Sequence, residues 1–174
     1  MTPRGTLWLH VGTHKTGTTS IQEAIAQRRD ALAAAGVAIW PQGNAQDLAN
    51  HFIRPSLWTI PRLLGISAPI DHEVFDELAV RLDEARGTAD DLFISSQEFC
   101  MMRDALEAYV LKSTLRQVFD RVVPIVAFRD VDDWRASRAD ELNRIGMWER
   151  QDALPDALSS DGDWYYDPES VRRF

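Results

Sequence analysis

Apolar residues fall into four short runs along the chain, at residues 7–11, 37–40, 92–96 and 124–128. Short runs of Leu, Ile, Val and aromatic residues are typical of buried β-strands. Longer stretches with helical spacing separate the runs, and strands that alternate with helices favour a parallel sheet covered on both faces. We therefore predict an α/β fold of three layers, in which helices flank a central parallel sheet.

The helices are predicted from apolar spacing and from their end signals. Ile21, Ala24, Ile25 and Leu32 lie on one face of a first helix that ends at Gly36. Further helices are predicted at residues 71–86 with Asp71 as N-cap, at 104–120 in one or two pieces and at 131–145, while the proline-containing residues 45–64 form short helices and loops.

Composition limits the classes of protein to consider. The 174 residues are 45% hydrophobic, which fills one core, so we expect a single domain, and no run is long enough to span a membrane. The net charge of −8 argues against a general nucleic-acid binder, because phosphate contacts need lysine and arginine. A single cysteine, Cys100, excludes an internal disulfide, and the start of the chain lacks a secretion signal, so we expect a cytoplasmic protein.

The first apolar run leads directly into a loop bracketed by Gly12 and Gly17, and a helix follows the loop. Such a loop binds anions, because its backbone N–H groups and the positive end of the helix dipole converge on one point. The nucleoside-triphosphate version has lysine directly after the second glycine. Here Thr18 holds that position and Lys15 precedes Gly17 by two residues. The loop is therefore not a standard Walker loop.

The phrase HVGTHKTGTTSIQ, and Lys-Thr-Gly-Thr-Thr within it, resembles the 5′-phosphosulfate loop of sulfotransferases that use 3′-phosphoadenosine 5′-phosphosulfate (PAPS). The phrase is similar to bacterial carbohydrate-sulfotransferase-like members of that superfamily, and this likeness implies a P-loop type of α/β fold. The resemblance implies that Lys15 neutralises charge on the departing oxygen. It also implies a nucleotide-binding segment that holds the 5′-phosphate and the sulfuryl oxygens. The segment consists of His14, Lys15, Thr16, Gly17, Thr18, Thr19 and Ser20, and in it His14 shapes the loop.

A second element of the resemblance lies in FRDVDDWRAS, where Ser137 follows Arg129 by eight residues. The family binds the 3′-phosphate with an arginine at a strand end and a serine eight residues later. Arginine suits this task because its planar donors match phosphate oxygens. The resemblance thus implies that Arg129 and Ser137 bind the 3′-phosphate; the alternative is that Arg129 pairs with a nearby aspartate.

Transfer to a hydroxyl also requires a base that takes the proton of the acceptor. The family uses histidine or glutamate, and the candidates are His51, after the second predicted strand, and Glu98, beyond the third. The alternatives are a surface or packing role for His51, and for Glu98 a carboxylate that orders the site by pairing with Arg129 or Lys15. No metal is expected, because Lys15 and the helix terminus supply the positive charge.

The sequence thus predicts sulfuryl transfer from PAPS to a carbohydrate or another small molecule. A P-loop kinase or NTPase is the second hypothesis, against which Thr18 argues. The third is a nucleotide-binding relative without turnover. The resemblance leads us to expect a longer chain, and a helix start predicted at Asp167 has only seven residues after it, as in a C-terminally truncated member.

Overall fold

The computed structural model describes residues 4–57, 59–65, 75–102 and 104–146, together with Glu169. Asp71, the predicted N-cap, and the helix start predicted at Asp167 lie outside these residues. Within the described part of the chain, no helix is both long and apolar enough to cross a membrane.

Four parallel strands form one sheet, in the order β2-β3-β1-β4. Their bounds are β1 Thr6–His10, β2 Val37–Ile39, β3 Asp91–Ser95 and β4 Arg121–Ile125. Helices flank the sheet, so the predicted α/β class with a central parallel sheet is confirmed. In the register, His10 lies opposite Ser95 on one side and Ile125 on the other. The carboxyl ends of these three strands therefore meet at one edge of the sheet, where parallel α/β proteins bind ligands.

Strand β1 lies between β3 and β4 in the sheet, and its side chains are buried to different degrees. Leu7 and Leu9 are almost completely buried. Trp8 is only partly buried, and its indole N–H donates to Asp91 Oδ2 at 2.9 Å. Apolar and aromatic residues that fit a pleated surface explain why this segment forms a strand.

The fourth strand begins and ends three residues earlier than the apolar run 124–128 predicts. Its pairing with β1 sets the bounds, because Arg121 lies opposite Thr6 and Ile125 opposite His10. Pro124 therefore lies inside β4, which pairs only with β1 among the described strands, and edge strands tolerate proline. As a consequence, Arg129 follows the strand by four residues instead of directly ending it.

The helices follow the predicted order, with one change. The first predicted helix is divided at Arg28, which has the non-helical angles φ −107° and ψ 15°. The segment 104–120, left open as one or two helices, contains one. The helices are α1 Thr18–Gln27, α2 Arg29–Ala34, α3 Gln46–Phe52, α4 Ile60–Leu63, α5 Phe75–Arg86, α6 Ala105–Leu115 and α7 Val131–Arg144, with a 3₁₀ helix at Gln97–Met101.

One apolar cluster connects the sheet to these helices. It includes β1, β3, α3, α5, α6 and the first buried residue of α7, Trp134. The largest of its fully buried apolar side chains are Trp40, Phe52, Phe99, Phe119 and Trp134. This packing fixes the carboxyl edge of the sheet, where the residues of interest lie.

Candidate active site at the carboxyl edge of the sheet

The loop between β1 and α1, residues 11–17, is tied to the segment that follows β4. The Val11 N–H donates to the Ile125 carbonyl at 2.8 Å. The Thr13 hydroxyl donates to the Ala127 carbonyl at 3.3 Å. Within the loop, the Thr16 hydroxyl donates to the Thr13 carbonyl at 2.6 Å. The loop is therefore held from within and from the neighbouring segment.

Lys15 and Gly17 both adopt left-handed backbone conformations, with φ of 65° and 87°. In the described residues, Lys15 is the one non-glycine residue with positive φ. This conformation costs roughly 1–2 kcal/mol for a residue with a Cβ atom. Strain of this kind persists only where the surroundings enforce it, and it is concentrated at functional sites. The strained residue here is the lysine that the sequence singles out.

Helix α1 begins at the end of this loop with Gly17 as its N-cap. Glycine has no side chain to accept a hydrogen bond from the first turn, so the N–H groups of Thr18, Thr19 and Ser20 are left for solvent or a ligand. The first turn contains no acidic residue that would compete with an anion. The start of α1 is therefore chemically suited to an anion.

The hydroxyls at the start of α1 differ in access. Thr19 and Ser20 are exposed, whereas Thr18 is buried. A Cβ atom at Gly12 would lie 2.3 Å from Thr18 Oγ1, so only glycine fits there. Thr18 therefore packs against the loop at Gly12, while Thr19 and Ser20 have exposed hydroxyls.

Arg129 is exposed and reaches back to the loop, where its Nη1 donates to the Lys15 carbonyl at 3.3 Å. The neighbouring Asp130 is the N-cap of α7, and its Oδ1 accepts from the N–H groups of Asp132 and Asp133. The described contact of Arg129 is thus with the loop and not with a nearby aspartate. Asp130 Oδ1 instead caps the N-terminus of α7. Ser137 is partly buried in α7, about 9 Å along the helix axis from Val131.

Glu98 lies in the 3₁₀ helix after β3 and pairs with His14 of the loop. His14 Nε2 and Glu98 Oε1 are 3.2 Å apart, and Cys100 Sγ lies 3.9 Å from His14 Nδ1. The exposed fractions of His14, Glu98 and Cys100 are 5%, 4% and 2%. The sequence-based alternative for Glu98 named Arg129 or Lys15 as its partner; the described partner is His14, a pairing that depends on the adjacency of β1 and β3.

His51 lies in the last turn of α3 and is partly buried. Helix α3 packs against the 3₁₀ helix that carries Glu98. The end of α3 is held by Arg62, whose guanidinium donates to the carbonyls of Asn50 and Ile53 at 3.2 and 3.0 Å. Burial lowers the pKa of Arg62, and the charges of Glu98 and Glu107 oppose this effect. Sequence analysis does not point to Arg62, because its role depends on how residues 50–57 turn.

A buried polar group supports the loop from the sheet. His10 Nδ1 lies 2.8 Å from the Ser95 hydroxyl, and Gln22 of α1 donates to the same hydroxyl at 3.1 Å. Burial lowers the pKa of His10, so its imidazole is neutral near pH 7. This group links β1, β3 and α1.

The described side-chain contacts therefore join His14, Lys15, Glu98 and Arg129 at one edge of the sheet. His51 lies on α3 and Ser137 lies on α7, and the roles of both residues stay predictions. Among the described residues, no three His, Cys, Asp or Glu side chains form a group that could hold a metal ion.

Comparisons with protein-family models, with curated proteins and with solved structures found no significant match to this chain. The argument for function therefore depends on the residues of the site and on the likeness of its two sequence motifs.

Proposed function

We propose that the protein is a sulfotransferase that moves a sulfuryl group from PAPS to a hydroxyl of a carbohydrate or another small molecule. The observation that carries the proposal is the loop at residues 11–17: a lysine lies in a left-handed conformation two residues before the glycine N-cap of α1, and Arg129 donates to its carbonyl. Two cationic side chains and a helix N-terminus at one strand edge favour a ligand with several anionic groups.

In this proposal the loop and the start of α1 hold the 5′-phosphate and the sulfuryl oxygens. The donors are the backbone N–H groups of Gly17, Thr18, Thr19 and Ser20 and the exposed hydroxyls of Thr19 and Ser20. Arg129, with Ser137, binds the 3′-phosphate. A net charge of −8 makes such a local concentration of donors necessary, because the chain as a whole repels anions.

During transfer, the acceptor oxygen forms a bond to sulfur while the bond between sulfur and the 5′-phosphate oxygen breaks. The electron pair of the broken bond stays with 3′-phosphoadenosine 5′-phosphate (PAP), and the Lys15 ammonium neutralises the charge that develops there. The acceptor proton passes to a base. His51 is partly exposed whereas Glu98 is buried, so we assign the base to His51.

Transfer of ³⁵S-labelled sulfate from PAPS to a panel of saccharides and small alcohols tests the proposal, with release of PAP measured in parallel. The chain contains two lysines, Lys15 and Lys112, and Lys112 lies exposed on α6. We expect the Lys15→Ala variant to lose transfer and the matched Lys112→Ala variant to keep it. Equal activity of the two variants, or neither labelled product nor PAP release from the unaltered protein, would overturn the proposal.

A further inference from the structure

Glu98 is poorly placed to take a proton from an acceptor. Its side chain is almost completely buried, one carboxylate oxygen contacts His14, and within the described residues the other oxygen, Oε2, is buried without a hydrogen-bond partner. A general base must come within hydrogen-bond distance of the proton it removes. The described contact of Glu98 is therefore with the loop.

The contacts of His14 define how Glu98 acts on the loop. His14 Nε2 lies 3.2 Å from Glu98 Oε1, within hydrogen-bond distance. The other ring nitrogen, Nδ1, lies 3.9 Å from the sulfur of Cys100. Both ring nitrogens thus face groups of the 3₁₀ helix, which holds the imidazole in position.

This imidazole belongs to the residue directly before Lys15. The left-handed backbone of Lys15 needs restraint on both sides. Arg129 holds the Lys15 carbonyl, and the Thr16 hydroxyl bonds to the Thr13 carbonyl across the turn. The His14–Glu98 pair supplies the restraint on the amino-terminal side, and it connects the loop to the end of β3 across 84 residues of sequence.

We infer that Glu98 is a positioning residue: through His14 it holds the loop in the conformation that directs the Lys15 ammonium to the leaving oxygen. The inference rests on the proposed sulfuryl transfer for its catalytic consequence, but the restraint itself is a property of the protein without nucleotide. The two parts can therefore be tested separately.

The first test measures the restraint without any nucleotide. Lys15→Gly relieves the left-handed strain and Lys15→Ala keeps it, so the difference in unfolding free energy between these two variants reports how firmly the loop is held. We expect this difference in unfolding free energy to shrink toward zero when Glu98→Ala is added to both variants, because a released loop lets residue 15 leave the left-handed conformation. Glu107 is the matched control, since it is also buried but pairs with Arg54. Adding Glu107→Ala should leave the difference unchanged, and an unchanged difference with Glu98→Ala would overturn the inference.

The second test uses the conservative variant Glu98→Gln, whose amide oxygen still accepts from His14 but cannot take a proton. We expect Glu98→Gln to keep kcat within about tenfold of the unaltered protein, and Glu98→Ala to lose considerably more. A base role predicts instead that Glu98→Gln loses about 10²–10⁴-fold in kcat with unchanged affinity for PAP, and that result would overturn the inference. If the unaltered protein binds no PAP, the proposed function fails while the first test still decides the restraint.

Discussion

At the scale of single residues, Lys15 within the loop and His10 next to it both have an unusual conformation or environment. Lys15 has a backbone conformation that residues other than glycine rarely adopt. His10 is a buried imidazole beneath the loop, with Nδ1 bonded to Ser95 and Nε2 without a hydrogen-bond partner in the described residues. The left-handed backbone of Lys15 and the burial of His10 each lower the stability of the folded protein under stated conditions, and each leads to a prediction.

Replacing Lys15 separates stability from activity. Lys15→Gly and Lys15→Ala both remove the ammonium group, but only glycine adopts φ 65° without strain. We expect both variants to lose transfer, and Lys15→Gly to be about 1 kcal/mol more stable than Lys15→Ala. Urea unfolding followed by circular dichroism measures the difference. Equal stability of the two variants would contradict the strained backbone at this position.

His10 makes the folded protein sensitive to mild acid. Because burial lowers its pKa, the unfolded chain binds a proton near the ordinary value of 6.5 whereas the folded protein binds it only at lower pH. The free energy of unfolding therefore falls as pH decreases below about 6.5, by at most about 1.4 kcal/mol per pH unit from this group. Above this range the contribution is constant.

The variant that checks this is His10→Asn, whose amide can still bond to the Ser95 hydroxyl. We expect its unfolding free energy to fall less steeply between pH 6.5 and 5.5 than that of the unaltered protein. Urea titrations at four pH values in this interval give both slopes. The other histidines contribute to both proteins alike, so identical slopes would show that His10 titrates normally.

At the scale of elements, the sequence predicts three strands to within one residue because each is a short apolar run between clear stop signals. The fourth strand was placed three residues too late, because its bounds follow from pairing with β1 and not from its own apolar residues. The pairing of His14 with Glu98 could not be predicted from the sequence either, because it depends on β1 and β3 being neighbours in the sheet. The loop at residues 11–17, by contrast, could be located from its glycines and lysine alone.

The segment between β4 and α7 carries the next prediction. Arg129 contacts the loop and is assigned to the 3′-phosphate, so Arg129→Ala should weaken binding of PAP by about 10–100-fold, the usual range for a charged hydrogen bond. Binding of adenosine 5′-phosphosulfate, which lacks the 3′-phosphate, should change much less. Calorimetric titration of both nucleotides measures the two effects.

Arg121 provides the matched control, because it is exposed at the start of β4, the strand that precedes the segment with Arg129. Arg121→Ala removes the same charge and should leave both affinities close to those of the unaltered protein. An equal loss for both nucleotides in Arg129→Ala would contradict the assignment of Arg129 to the 3′-phosphate.

At the scale of the whole molecule, an acidic protein is proposed to bind a strongly anionic nucleotide. The conflict is resolved locally, because the carboxyl edge of the sheet joins Lys15, Arg129 and the N-terminus of α1, and that helix has no acidic residue in its first turn. The parallel order β2-β3-β1-β4 makes this possible, since it brings the ends of β1, β3 and β4 together. Binding should therefore be selective for the position of the anionic groups and not only for their number.

Calorimetric titration with PAP, with ATP under the same conditions as the comparison, tests this claim most directly. ATP carries its phosphates in one chain, whereas PAP has one phosphate for the loop and one for Arg129. The account predicts saturable binding of PAP with an affinity at least about tenfold above that of ATP, a difference of about 1.4 kcal/mol. Binding of ATP as tight as that of PAP, or no binding of PAP at all, would contradict it.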